Sequence, residues 1–331
     1  MYIYIFLLFF SLVVMALGKS KGVYWIFFTF LVLISTFRSI GVGGDTEYYS
    51  WAFHDTDELY GSTIHDLELA YYALNKIVGL FTNDYTVFLF FASLLCLFPV
   101  FYAAQKYTKH YNFVVSLYVL LYYYNFSLCF IRQSIALAFL FWGYLICSKT
   151  HNKNHLLIFV LIAFLFHNSS IVALILLFFT KKKYNPLIGS LIMILSYFVG
   201  RLNVLMILLG MFGFSTLYSL PLSGDVNFTI NGLLMTLYLS FFSYICKEDD
   251  FLMFVMVIGV VLFNCLVFNT DISRINWSFS IVQIFILANM NTLKRYNRRI
   301  MLVGSVIYSI SLYVSFLIAN QGGVVPYEFI S

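Results

Sequence analysis

The chain has 331 residues, of which 62% are hydrophobic and 10% charged, with a mean hydropathy of +0.91. That balance excludes a soluble domain and fits an all-α, polytopic helical membrane protein. The formal net charge of +5 is not a nucleic-acid signal, because the basic residues sit in short clusters between apolar runs.

Taking about 20 apolar residues per crossing, spans are predicted near 2–17, 22–37, 86–104, 112–124 and 128–147. A broken segment follows at 155–179, then a run at 187–213 interrupted at Arg201, then spans at 229–246, 251–268, 275–291 and 300–319. The count is ten to twelve, in a single integral membrane domain covering residues 1–331, without a linker or sequence repeat. The apolar start at Met1, with no basic leader or small-residue cleavage site, reads as a retained first span. Five cysteines (Cys96, Cys129, Cys147, Cys246, Cys265) lie in or beside apolar segments without CxxC spacing, and read as small core residues.

Lys19/Lys21, Lys106/Lys109, Lys149/Lys153, Lys181–Lys183 and Lys294/Arg295/Arg298/Arg299 fall in alternate loops, which the positive-inside rule assigns to the cytoplasm. Residues 155–179 must then leave and return on one side, as a hairpin broken at His167-Asn168-Ser169-Ser170. One long span carrying His167 at mid-membrane is the competing arrangement. The loop 38–84 becomes external and holds eight of the fourteen acids: Asp45, Glu47, Asp55, Asp57, Glu58, Asp66, Glu68 and Asp84. Within it, Leu67 to Leu80 has helical apolar spacing and is predicted to lie as an amphipathic helix at the outer interface.

The most unusual residue is Arg132. It sits inside a run from about Ser116 to Ile146 that otherwise reads as continuous membrane helix. A charge at that depth costs roughly 2.5–3.5 kcal/mol on insertion scales, so it faces a cavity or a partner. Arg132 is therefore either neutralised by a buried carboxylate, Asp45 or Asp271, or reserved for an anionic ligand. Arg38, Arg201 and Arg274 share the predicted outer side, where guanidinium suits bidentate phosphate contacts. Asp45, His167 and Asp271 accompany them, Asp271 at i,i+3 from Arg274. Each has a plainer reading: Arg38 and Arg274 as interfacial snorkellers, His167 as a cap on the helix break, Asp45 as the end of a Gly-rich turn. The aromatic clusters Tyr48/Tyr49/Trp51 and Tyr122–Tyr124 fit interfacial anchoring or stacking on sugar rings.

Taken together, these short motifs resemble the bacterial EpsG / Wzy-type polysaccharide polymerases. They are Arg38 with Gly41-Val42-Gly43-Gly44-Asp45-Thr46-Glu47-Tyr48-Tyr49, Arg132-Gln133 at the head of a span, His167-Asn168-Ser169-Ser170, and Asp271-Ile272-Ser273-Arg274. The resemblance implies a GT-C-like membrane glycosyltransferase in the bacterial cytoplasmic (inner) membrane, its site facing the periplasm or exterior. Its donor and acceptor would both be undecaprenyl-diphosphate-linked oligosaccharide, used without nucleotide sugar, cofactor or metal. The partners implied are membrane lipids and a chain-length regulator protein. O-antigen, capsule and exopolysaccharide are all products such enzymes make. The residues suit that chemistry. Arg132 and Arg274, with Arg38 and Arg201, are candidates for the diphosphate, and His167 or Asp45 for the base. Asp271 would hold Arg274, while Gln133, Tyr48 and Tyr49 are candidate substrate contacts. The alternatives are a lipid-linked oligosaccharide flippase or other transporter, for which no inverted repeat is found, and a membrane acyltransferase built on His167, which leaves the arginines idle.

Overall fold

Side-chain caps set where many of the helices begin. Ser20 accepts from the Val23 N–H, Asp84 from Thr86, Asn152 from Asn154, and Asp249 from Phe251 and Leu252. Asn185 caps Leu187 and Ile188 ahead of Pro186 at the first helical position. The computed structural model describes residues 1–56, 67–202, 230–246, 249–266, 274–290 and 295–330.

In chain order the helices are α1 (Tyr2–Ala16), α2 (Lys21–Thr36), α3 (Thr46–His54), α4 (Leu69–Gly79), α5 (Tyr85–Tyr107), α6 (Tyr111–Leu120), α7 (Tyr123–Ser127), α8 (Ile131–Thr150) and α9 (Lys153–Phe166). A 3-10 segment, Asn168–Phe178, follows, then α10 (Pro186–Arg201), α11 (Ile230–Ile245) and α12 (Asp250–Cys265). A 3-10 turn, Arg274–Asn276, leads into α13 (Trp277–Ser280) and α14 (Gln283–Ile286), and α15 is Arg295–Ile318. Among the described residues three helices are long and apolar enough to cross a membrane: Tyr85–Tyr107, Ile131–Thr150 and Asn297–Ile318. Eight further apolar helices have 10–17 residues.

Two apolar runs are less continuous than expected. The run from Ser116 to Ile146 is broken twice, at Tyr122, whose φ is 72°, and between Leu128 and Phe130. The expected span 275–291 is three short helical pieces. Both lie almost wholly buried, α8 against α5 and α9, and 277–290 beneath α12. Neighbouring protein can satisfy irregular backbone there, which exposed lipid-facing chain cannot do. Tyr144 donates to the Ser278 carbonyl at 2.6 Å, and a Cβ on Gly259 would meet the Ser280 backbone, so α13 is pinned between α8 and α12.

The basic clusters gather at one end. Tyr111 donates to the Lys19 carbonyl, Arg298 reaches His110 Nε2 at 2.8 Å, and Thr150, Lys153 and Lys181 line one pocket. The 3-10 segment runs back beside α9, since Leu174, Leu177 and Phe178 line a groove with Lys153, Asn154 and Leu157. The chain between Lys153 and Lys181 thus leaves that end and comes back to it, with His167 at the far turn. Helix α4 buries Tyr71, Asn75 and Val78 and exposes Leu69 and Ile77.

Candidate active site

Arg132 sits in the first turn of α8, at the end of the bundle opposite the lysines. The helix's positive end adds there to the guanidinium charge. Its Nη1 donates to Glu68 Oε2 at 2.7 Å. The guanidinium carbon lies 5.9, 5.7 and 5.9 Å from the ring centres of Tyr48, Tyr49 and Tyr71, so three aromatic rings surround it. Its side chain keeps 22% exposure, whereas that of Glu68 keeps 6%.

Glu68 stands one residue ahead of α4 and accepts from two further groups. His167, the residue that ends α9, places Nδ1 3.1 Å from Glu68 Oε1, and the Asn168 N–H points to the same oxygen at 3.4 Å. His167 has extended backbone (φ −158°), and the chain restarts as the 3-10 segment directly after it. Burial raises the affinity of Glu68 for a proton. The hydrogen bond with His167 and the charge of Arg132 outweigh burial and hold the carboxyl below its ordinary value.

The Gly-rich loop supplies Asp45. Gly43 adopts φ +94°, and a Cβ there would collide with the Leu128 carbonyl, so the loop is seated on the break before α8. Gly43 N–H and Gly44 N–H donate to the carbonyls of Gly323 and Gly322 at 3.0 and 2.9 Å, which clamps the loop under the C-terminal tail. Thr46 Oγ1 adds bonds to Val42 and Leu128 carbonyls. Asp45 occupies the N-cap position of α3 without a side-chain capping bond. Cys129 lies against the Gly44 and Asp45 backbone and within electrostatic reach of Arg274.

Arg274 stacks over Phe130 at 4.6 Å, and Gln133 Nε2 donates to its carbonyl at 3.1 Å. Trp277 stacks on Phe126 at 4.1 Å. These two rings also wall a cavity of about 310 Å³ that reaches Gln283, Tyr308 and Phe316 and has no charged lining residue.

Of the residues expected from sequence, the structure brings Asp45, Tyr48, Tyr49, Arg132, Gln133, His167 and Arg274 to one region around the start of α8. Gln133 is 4% exposed and serves the Arg274 backbone, so its expected substrate contact becomes a supporting one. Arg38 is turned inward at 1% exposure, with Nη1 on the carbonyl and hydroxyl of Ser35. The expectation that it reaches substrate therefore does not fit its position. Arg201 lies 5.2 Å from the Tyr197 ring on its own helix. Asp271 lies outside the described residues. Arg132 is met by Glu68, an acid that the sequence did not single out as its partner. Sequence reasoning passed over Glu68 as one of eight loop acids; its place directly before an apolar helix was the available signal. Among the described residues no group of three His, Cys, Asp or Glu is placed to hold a metal ion.

No curated protein matches the chain, nor does any solved structure. The family model for EpsG matches residues 21–329, nearly the whole length, and the chain belongs to the EpsG family.

Proposed function

We propose that this membrane protein is a Wzy-type polysaccharide polymerase. It joins undecaprenyl-diphosphate-linked oligosaccharide units outside the bacterial cytoplasmic membrane, with a GT-C-like mode of action. Membership of the EpsG family supports a role in polysaccharide biosynthesis. The observation that carries the rest is the meeting of Arg132, Arg274, His167 and Asp45 around one helix start.

In this reading the acceptor sugar hydroxyl attacks the anomeric carbon of the donor glycan. The C–O bond to the lipid diphosphate breaks and its electron pair leaves with the phosphate oxygen. Arg132 and Arg274 bind that diphosphate and stabilise the charge it gains. His167 takes the hydroxyl proton. Asp45 orients the acceptor, and Tyr48 and Tyr49 keep Arg132 in place. Nothing in the step requires a nucleotide sugar or a cofactor. A chain-length regulator is a proposed partner, and the repeat units are both donor and acceptor.

The test is the length distribution of surface polysaccharide in a deletion strain, complemented with wild type or with Arg132→Ala at equal membrane abundance. Single units on the surface after deletion, with long chains restored by wild type alone, are expected. Repeat units held on the cytoplasmic side would instead make the protein a flippase. Full activity in His167→Ala would move the base to Asp45.

A further inference from the structure

Glu68 is an acid that the polymerase reading leaves without a task, yet it links two of the proposed reactive groups. Its side chain is 6% exposed and touches Arg132 through one oxygen and His167 through the other. We propose that Glu68 is the positioning residue of the site: it fixes the His167 proton on Nδ1, and it holds Arg132 until the donor diphosphate takes its place. This rests on the polymerase reading above.

The chemistry follows from the partners. An ionised carboxylate has acceptors alone, so the shared hydrogen is carried by His167 Nδ1. A neutral imidazole protonated there keeps its lone pair on Nε2, which becomes the proton-accepting atom. The carboxylate also stabilises the imidazolium that forms as the proton arrives. Arg132 enters as a competitor for the same carboxylate. A diphosphate carrying two or more charges outbids one carboxylate for the guanidinium. When Arg132 turns to it, Glu68 no longer shares its charge with the guanidinium, and the base strengthens once the donor is in place. The step is an exchange of partners and a single proton transfer from acceptor hydroxyl to Nε2.

The groups touching Glu68 are Arg132 from α8 and His167 with the Asn168 N–H from the break after α9; the rings of Tyr48 and Tyr49 from α3 and Tyr71 from α4 surround the Arg132 guanidinium, and Tyr85 of α5 lies within electrostatic reach of Tyr71. Burial pushes the Tyr49 and Tyr71 phenols up, so both stay neutral.

The experiment uses the purified protein in lipid nanodiscs with the undecaprenyl-diphosphate-linked unit extracted from the deletion strain. Glu68→Gln is expected to lower kcat by about 10²–10⁴-fold without raising the donor KM. The acid limb of its pH–rate profile should move to lower pH, because the imidazolium loses its carboxylate. Glu68→Asp, which keeps the charge, should return that limb toward wild type. A Glu68→Gln enzyme with wild-type kcat and pH profile overturns the proposal while leaving the polymerase reading intact. A wild-type protein that never extends the unit overturns both. Nitrogen-15 spectra of labelled histidine, with His167→Gln to assign the signal, give a readout apart from activity. An Nε2-protonated neutral ring at His167 overturns the proposal whatever the rate.

Discussion

The Glu68 carboxylate accepts from Arg132 Nη1 at 2.7 Å, tying the start of α4 to the first turn of α8. Arg132→Ala takes the guanidinium from a carboxylate that is 6% exposed and leaves it with His167 and the Asn168 N–H, at a cost of about 1–3 kcal/mol. Adding Glu68→Gln removes that buried charge. The double variant is therefore expected to regain much of the thermal stability lost by Arg132→Ala, and to remain inactive. Monodisperse protein remaining after heating in detergent, compared across the four-member cycle, checks the coupling. Additive losses would mean that the pair contributes nothing to folding.

The same carboxylate gives stability a pH dependence of known sign. Its proton affinity is lower in the folded protein than the ordinary value of 4.5. A group depressed on folding contributes stability that is present above its unfolded pKa and is lost as pH falls through the folded value. Wild type should therefore exceed Glu68→Gln in melting temperature at about pH 5, by a margin that shrinks below about pH 4.5. Melting followed by tryptophan fluorescence from pH 3.5 to 7 reads this directly. A margin that grows on acidification would contradict the contact.

Gly43 is the backbone feature on which Asp45 depends. Its φ of +94° and the Leu128 carbonyl leave no room for a methyl group. Gly43→Ala is expected to cost about 1–3 kcal/mol of local strain, and to release the loop from Gly322 and Gly323. Gly22, where a Cβ meets nothing within 4 Å, is the matched control. Polymer length should collapse in Gly43→Ala and stay at wild type in Gly22→Ala. Equal chain length in both would mean that the loop geometry is not needed for function.

What the sequence revealed depended on whether the signal was local. Arg132, His167 and the Gly-rich loop were legible because each breaks an apolar pattern at its own position. The helix from Leu69 to Gly79 was legible from spacing within two residues of its bounds. The pairing of Arg132 with Glu68 was not, since Glu68 lies 64 positions away among seven other acids, and its one local mark, a place directly before an apolar helix, does not say what it meets. The breaks at Tyr122 and through 277–286 were hidden for a related reason. Tertiary packing supplies the missing backbone partners, so no Gly or Pro is needed to announce them. The inward turn of Arg38 was hidden as well, because an arginine just past a span looks the same from the sequence whether it snorkels or folds under the loop.

Arg38 makes the last expectation the sharpest test of that reading. It is 1% exposed, bonds through Nη1 to Ser35, and has no hydrogen-bond partner at Nε or Nη2 among the described residues. Its backbone bridges to Phe329, beside the Ser39 bond to Glu328 at 2.9 Å, so it lies where the C-terminal tail docks. A buried charge without a full set of partners contributes little net stability, and an apolar residue of similar length is often neutral or better. Arg38→Met should therefore fold at wild-type yield and polymerise within a few-fold of wild type per folded molecule. Arg38→Ala, which also leaves a void, should lose about 2–4 kcal/mol and accumulate poorly. Chain length normalised to monodisperse protein separates the two effects. A well-folded Arg38→Met that makes no polymer would return Arg38 to the anion site, and would require the Gly-rich loop above it to open during turnover.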